Sequence, residues 1–234
     1  MIQNLANARA WQACCGCLVA ILAISLAAPA AIAAGPAGNK WEEEIQAFER
    51  QDAKHRPPEN AVLFVGSSSI RLWKLKESFP DLDAINRGFG GSELADSAHF
   101  VDRIVIPYKP RLVVLYAGDN DLAAGKKPQQ VLADFKRFDA KVKAALPETR
   151  IVFLSIKPSI QRRALIDKVR ATNTAIEKFI SGDERLTYVD VFQPMLTAKG
   201  EPRPELFRAD GLHLNAEGYK LWASLLQPTL TKAD

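Results

Sequence analysis

Asp210-Gly211-Leu212-His213 is the segment of this sequence with the plainest capacity for acid–base chemistry. An Asp at i and a His at i+3 across a glycine-containing turn can bring a carboxylate beside an imidazole. Such a pair fixes the imidazole tautomer and stabilises the imidazolium formed when the ring takes a proton. The pattern alone is common, and a surface pair is its ordinary explanation. The chain has three histidines, and the other two, His55 and His99, have no comparable setting. They read as plain helix or loop residues.

Ser68 offers a group on which that base could act. It lies in Gly66-Ser67-Ser68-Ser69, directly after the apolar run at 61–65. A hydroxyl is a poor nucleophile until something removes its proton. A sharp turn after a buried strand exposes such a side chain at the sheet edge, and a helix starting there aims backbone N–H groups at a developing oxyanion. Helix capping by one of the serines is the competing explanation. Asn120, in Gly118-Asp119-Asn120-Asp121, and the glycines of Gly88-Phe89-Gly90-Gly91 could add a carboxamide and a backbone N–H to the same oxyanion. Both residue types also fill ordinary turns.

These segments need a scaffold that gathers them. Short apolar runs at 61–65, 112–116 and 151–154 read as buried strands, with weaker candidates at 83–86 and 186–191. Helical patterns lie between and around them. Residues 41–53 form a polar amphipathic stretch carrying Ile45 and Phe48. At 128–146, Val131, Leu132, Phe135, Phe138 and Val142 share one face, with Pro128 in the first turn and Pro147 after the last. Leu165, Val169, Ile176 and Phe179 make another face, and Asn215 is placed to cap a final helix over 216–226. Short β-branched strands alternating with helices predict an α/β domain with a parallel sheet covered on both sides. In such sheets ligands bind beyond the carboxyl ends of the strands. The serine, glycine and Gly-Asp-Asn-Asp segments all follow strands in this way. Lys157, Pro158 and Ser159, after the fourth strand, and the segment 194–208 are expected to shape the pocket.

Taken in order, the segments resemble the four blocks of the SGNH (GDSL-like) hydrolase family. Phe64-Val65-Gly66-Ser67-Ser68 matches its nucleophile turn, and Asn86-Arg87-Gly88-Phe89-Gly90-Gly91 its glycine block. Gly118-Asp119-Asn120-Asp121 matches its G-x-N-D, and Asp210-Gly211-Leu212-His213 its D-x-x-H. Ser67 stands where the family name places an Asp, a position that is not the nucleophile. The resemblance implies a three-layer α/β/α domain of flavodoxin-like type, with a five-stranded parallel sheet in order 2-1-3-4-5. It implies Ser68, Asp210 and His213 as catalytic residues, with Ser68, Gly91 and Asn120 forming an oxyanion hole. The family's spacing favours Gly91 over Gly88 or Gly90. The expected reaction is hydrolysis of a carboxylic ester through an acyl-enzyme, with a small acyl group carried on a small-molecule or glycan substrate. An O-acetyl-sugar esterase, an acyltransferase using the same triad, or a lysophospholipase or thioesterase are alternatives; intact motifs argue against a non-catalytic binding module.

Competing chemistries lack their residues. Glu93 stands where the last glycine of a dinucleotide fingerprint belongs, and Gly125-Lys126-Lys127 lacks the flanking residues of a phosphate loop. No H-E-x-x-H occurs, and no second histidine neighbours His213 for a metal. No cofactor and no metal are expected. With Lys+Arg 31 against Asp+Glu 27, the net charge of +4 is small and unclustered, which does not predict nucleic-acid binding.

Residues 1–34 differ in kind. Arg9 is their one charged side chain, and residues 18–28 read LVAILAISLAA before Pro29. Small residues at Ala31 and Ala33 suit signal-peptide cleavage near Ala33 or Ala34, leaving 35–234 as the hydrolase domain of an exported, periplasmic or secreted protein. An uncleaved anchor would have to run through Pro29 to approach the ~20 residues of a membrane span. Cys14, Cys15 and Cys17 all fall in this leader. A cleaved protein therefore has neither disulfide nor thiol nucleophile and depends on its core.

Overall fold

The computed structural model describes residues 40–230. The expected leader, its cysteines and the expected cleavage site lie outside the described residues. In chain order the elements are α1 (Glu42–Lys54), β1 (Val62–Gly66), α2 (Ser68–Arg71), α3 (Leu75–Ser78), β2 (Ala84–Gly88), α4 (Leu94–His99) and α5 (Val101–Ile104). They continue with β3 (Leu112–Tyr116), α6 (Asp119–Ala123), α7 (Pro128–Ala145), β4 (Arg150–Leu154), α8 (Ile166–Ile180), β5 (Leu186–Val189) and α9 (Ala216–Leu230).

The five strands form one sheet in the order β2-β1-β3-β4-β5, and every pairing is parallel. This is the arrangement implied by the resemblance. Every residue of β1 and β3 is buried, because both faces of these central strands are covered. That is why they read as unbroken apolar runs and not as alternating ones. The alternation is still present in space. Leu63, Val65, Val113, Leu115, Ile151 and Phe153 point to one face, where Ile45 of α1, Leu94 and Ala98 of α4, Phe135 and Phe138 of α7 and Ile176 of α8 meet them. Val62, Phe64, Val114, Tyr116, Val152 and Leu154 point to the other, against Ile70 of α2, Leu75 of α3 and Trp222 and Leu226 of α9. The sheet is thus the middle of three layers.

Several boundaries depart from the sequence pattern, each for a local reason. β2 continues through Gly88, which pairs with Gly66. β5 ends at Val189 because the Asp190 carboxylate accepts the N–H groups of Phe192 (2.9 Å) and Gln193 (3.2 Å), turning the chain out of the sheet. α9 runs on to Leu230, past Pro228, since Leu226 and Leu230 are buried and hold the last turn against the core. A proline this near the end interrupts little of the helix ladder.

The register sets the site. Gly66 lies level with Gly88 on one side and Tyr116 on the other. The segments that follow β1, β2 and β3 therefore leave the sheet at one edge, with the β1 segment between the others.

Candidate active site

Gly66 turns the chain at the end of β1 with φ +140°, and a Cβ there would sit 1.8 Å from the Tyr116 carbonyl oxygen. Only glycine satisfies both conditions. The next residue, Ser67, donates its N–H to that same oxygen at 3.1 Å, and α2 begins immediately with Ser68. The short helix is pinned by its neighbours. Asn86 Nδ2 donates to the Ile70 carbonyl at 2.7 Å, and the Tyr219 hydroxyl donates to the Ser69 carbonyl at 2.9 Å. Ser67 and Ser69 are buried, whereas Ser68 is only half-buried. Packing thus sets Ser68, the serine that the sequence pattern named, apart from its two neighbours.

His213 arrives from the far end of the chain. An antiparallel bridge between Phe207 and Leu214, and a bond from the Arg208 N–H to the His213 carbonyl at 2.8 Å, hold the loop. Asn215 caps α9 through Gly218 N–H at 3.1 Å and also donates to the Phe207 carbonyl at 3.0 Å. Within this frame His213 Nε2 lies 3.2 Å from Ser68 Oγ, and His213 Nδ1 lies 2.7 Å from Asp210 Oδ2. The other Asp210 oxygen accepts the N–H groups of Leu212 and His213, both at 2.9 Å. The His213 hydrogen bond foremost, and the backbone donors after it, hold the Asp210 carboxyl well below the usual carboxylate range. It stays ionised beside the ring.

Gly91 and Asn120 flank Ser68 from the two neighbouring strands. Phe89 is fully buried and donates its N–H to the Gly66 carbonyl at 2.9 Å, which seats the glycine loop beside the Ser68 turn. Gly91 has φ +73° and is exposed, and a Cβ placed on it would meet the Trp41 ring at 3.4 Å. Gly90 instead lies beneath the Arg71 guanidinium, and Gly88 belongs to β2. Asn120 is half-buried in the first turn of α6 and donates Nδ2 to the Ser92 carbonyl at 2.9 Å. Among the described residues, the Ser68 and Gly91 N–H groups donate to no other protein atom.

The structure adds roles that the sequence pattern did not assign. Asp119, buried beside Asn120, accepts from Lys157 Nζ and from Arg162, both at 3.0 Å. Burial alone would raise its carboxyl, but Lys157 and Arg162 outweigh that, and it is held below the usual range. Arg162 also donates to Asn120 Oδ1 at 2.9 Å. Lys157, expected with Pro158 and Ser159 to shape a substrate pocket, is buried and donates to Asp119 and the Tyr116 hydroxyl, and all three residues line a small cavity beside Asp119. The 194–208 segment, also expected to line the pocket, sends Met195 and Leu206 into the core and braces the start of α9 through the bond from Asn215 to the Glu205 carbonyl at 2.9 Å. An arginine in a loop, here the first of the pair Arg162-Arg163, carries no sequence signal, and a Lys–Asp pair 38 residues apart carries none either. His55 and His99 lie at helix ends and are exposed.

Among the described residues no cluster of three or more His, Cys, Asp or Glu side chains is arranged to hold a metal ion. No helix among them is long and apolar enough to cross a membrane.

A hydroxyl, an imidazole and a carboxylate thus follow one another at the carboxyl edge of a parallel sheet layered between helices. The chain belongs to the GDSL-like lipase/acylhydrolase family, whose model matches residues 70–221, more than half of its length. That stretch contains Gly91, Asn120, Asp210 and His213 and begins two residues after Ser68. Among solved structures, the chain is similar to a Streptococcus pneumonia protein provisionally assigned as a platelet activating factor. That pair shares 26% identity with a TM-score of 0.74, over 82% of this chain and 93% of the other. A GDSL-like lipase from Bacteroides thetaiotaomicron shares 23% identity with a TM-score of 0.71, over 81% and 98% of the two chains. A carbohydrate esterase family 3 protein from Talaromyces cellulolyticus shares 20% identity with a TM-score of 0.57, over 72% and 95%. No curated protein matches the chain. The family assignment makes this an enzyme of ester hydrolysis.

Proposed function

We propose that the protein cleaves carboxylic esters of small acyl groups in two steps through an acyl-Ser68 intermediate. His213 Nε2 takes the Ser68 proton as Oγ attacks the acyl carbonyl, and Asp210 holds the ring with its proton on Nδ1. The oxyanion is met by the N–H groups of Ser68 and Gly91 and by the Asn120 carboxamide. His213 then protonates the leaving alcohol, the acyl group stays on Ser68, and a water deprotonated by His213 releases the acid. The observation that carries this reading is the unbroken line from Asp210 Oδ2 to His213 at 2.7 Å and on to Ser68 Oγ at 3.2 Å.

The preference for a small acyl group rests on Trp41, whose ring stands against the exposed Gly91. An O-acetylated glycan is one substrate of this size, and an acyl acceptor other than water would convert the same chemistry to transfer. Export follows from the apolar run at 18–28 and the small residues after it, with the mature chain starting near residue 35. Edman sequencing of the protein recovered from outside the cytoplasm tests that start point.

Purified Ser68→Ala should fold with an unchanged Tm, fail to label with a fluorophosphonate, and lose p-nitrophenyl acetate hydrolysis by far more than the hundredfold to thousandfold, roughly, of a single oxyanion donor. Wild-type turnover in that variant would end the reading.

A further inference from the structure

An asparagine carboxamide is useful to an oxyanion only if its NH2 end faces the reacting carbon. Its two ends have nearly the same shape, so orientation must come from what each end bonds. At Asn120, Oδ1 accepts from Arg162 at 2.9 Å, and Nδ2 donates to the Ser92 carbonyl at 2.9 Å. Turning the amide over would set NH2 against a guanidinium and oxygen against a carbonyl. Both contacts become repulsive together. With one N–H committed to Ser92, a single N–H of the carboxamide remains.

Arg162 is itself fixed. Its other terminal nitrogen donates to Asp119 Oδ2 at 3.0 Å, and that carboxylate is anchored by the buried Lys157 at 3.0 Å. Its backbone N–H donates to Ser159 Oγ at 3.3 Å, and the preceding residue, Gln161, donates its N–H to the Gly211 carbonyl at 3.1 Å. The loop after β4 therefore touches both the Asn120 amide and the Asp210–His213 turn.

We propose that Arg162 is a positioning residue for ester hydrolysis, which sets the orientation of the Asn120 carboxamide and polarises its free N–H toward the oxyanion. A cation on the carbonyl end of an amide draws electron density from nitrogen, and hydrogen bonds in series strengthen one another. Arg162 acts through Asn120 and does not touch the substrate. This rests on Asn120 being an oxyanion donor, and the experiment separates the two ideas.

The experiment is a double-mutant cycle on the full chain, with kcat and KM for p-nitrophenyl acetate and Tm for each protein. Asn120→Ala should lower kcat by about a hundredfold to a thousandfold. Arg162→Ala should lower kcat by roughly tenfold to a hundredfold with KM little changed, the pattern of an interaction made only in the transition state. Added to Asn120→Ala, Arg162→Ala should cost almost nothing further, because its intermediary is gone. Arg162→Lys keeps the charge beside Asp119 but cannot bridge both acceptors as the guanidinium fork does. It should match wild type in Tm and still lose kcat, which separates positioning from folding if Arg162→Ala is unstable. Full additivity in the cycle, or wild-type kcat in Arg162→Lys and Arg162→Ala with Asn120→Ala impaired, overturns the role of Arg162 alone. Wild-type kcat in Asn120→Ala overturns the oxyanion assignment and this inference with it.

Discussion

Replacing Asp210 by Asn changes one oxygen to nitrogen and puts the tautomer of His213 to the test. In the wild type, one carboxylate oxygen accepts the Leu212 and His213 N–H groups at 2.9 Å, and the other accepts from His213 Nδ1 at 2.7 Å. Asparagine has a single accepting oxygen. If it keeps the backbone bonds, NH2 faces Nδ1, the ring proton moves to Nε2, and His213 can no longer receive the Ser68 proton. If the oxygen faces the ring, the tautomer is right but both backbone bonds are lost, at about 1 kcal/mol each. With ~1.4 kcal/mol per factor of ten, the productive form falls to about 3% of the population, roughly a thirtyfold loss. The missing negative charge beside the imidazolium removes about 1 kcal/mol more at this exposed position, where water screens the pair. Together they predict a drop in kcat of about a hundredfold to a few hundredfold, smaller than the ~10⁴ typical of a buried triad carboxylate. The assay is p-nitrophenyl acetate turnover near neutral pH, with Tm showing that the variant is folded. Turnover within about threefold of wild type would refute the tautomer argument. The same geometry fixes a pH dependence. The lowered Asp210 carboxyl keeps its interaction above the unfolded value of about 3.9 and loses it only as pH falls through the folded value. Any acid limb of activity above about pH 4 therefore belongs to another group.

Gly66→Ala should not yield folded protein, because its Cβ would lie 1.8 Å from the Tyr116 carbonyl oxygen at φ +140°; a cooperative thermal transition at the wild-type Tm would contradict this. Asp119→Asn leaves the buried Lys157 without its counter-charge and should cost about 3–5 kcal/mol in urea unfolding. Because the Asp119 carboxyl is lowered, its contribution is present above the unfolded pKa and lost as pH falls through the folded one, so the gap between variant and wild type should close only below about pH 4. Trp41→Ala removes the ring beside Gly91 and should raise kcat/KM for butyrate and hexanoate p-nitrophenyl esters relative to acetate; an unchanged chain-length profile would show that Trp41 does not bound the acyl site.

Much of the fold was legible because it is written locally. The apolar runs that became β1, β3 and β4 are long enough to be read as buried strands, and the face of Val131, Phe135, Phe138 and Val142 announced α7. Element ends were less legible. Whether β5 stops at Val189 or continues depends on where the Asp190 carboxylate finds donors, and those donors are set by the packed loop. Within the serine cluster, Ser68 was legible from its place in the nucleophile turn, whereas the burial of Ser67 and Ser69 beside a half-buried Ser68 is a product of packing.

Residue type and periodicity are properties of short stretches. The amino-acid order alone therefore settles which chemical groups are present, how they follow one another and the strand–helix rhythm that carries them. Distance and orientation come from the packed fold. It brings Ser68 and His213, 145 residues apart, to 3.2 Å, and it sets Arg162, 42 residues from Asn120, against the amide oxygen at 2.9 Å. Such pairings depend on how a parallel sheet aligns its strand ends and on which polar groups burial leaves to find one another. No stretch of chain short enough to be read as a pattern contains both partners.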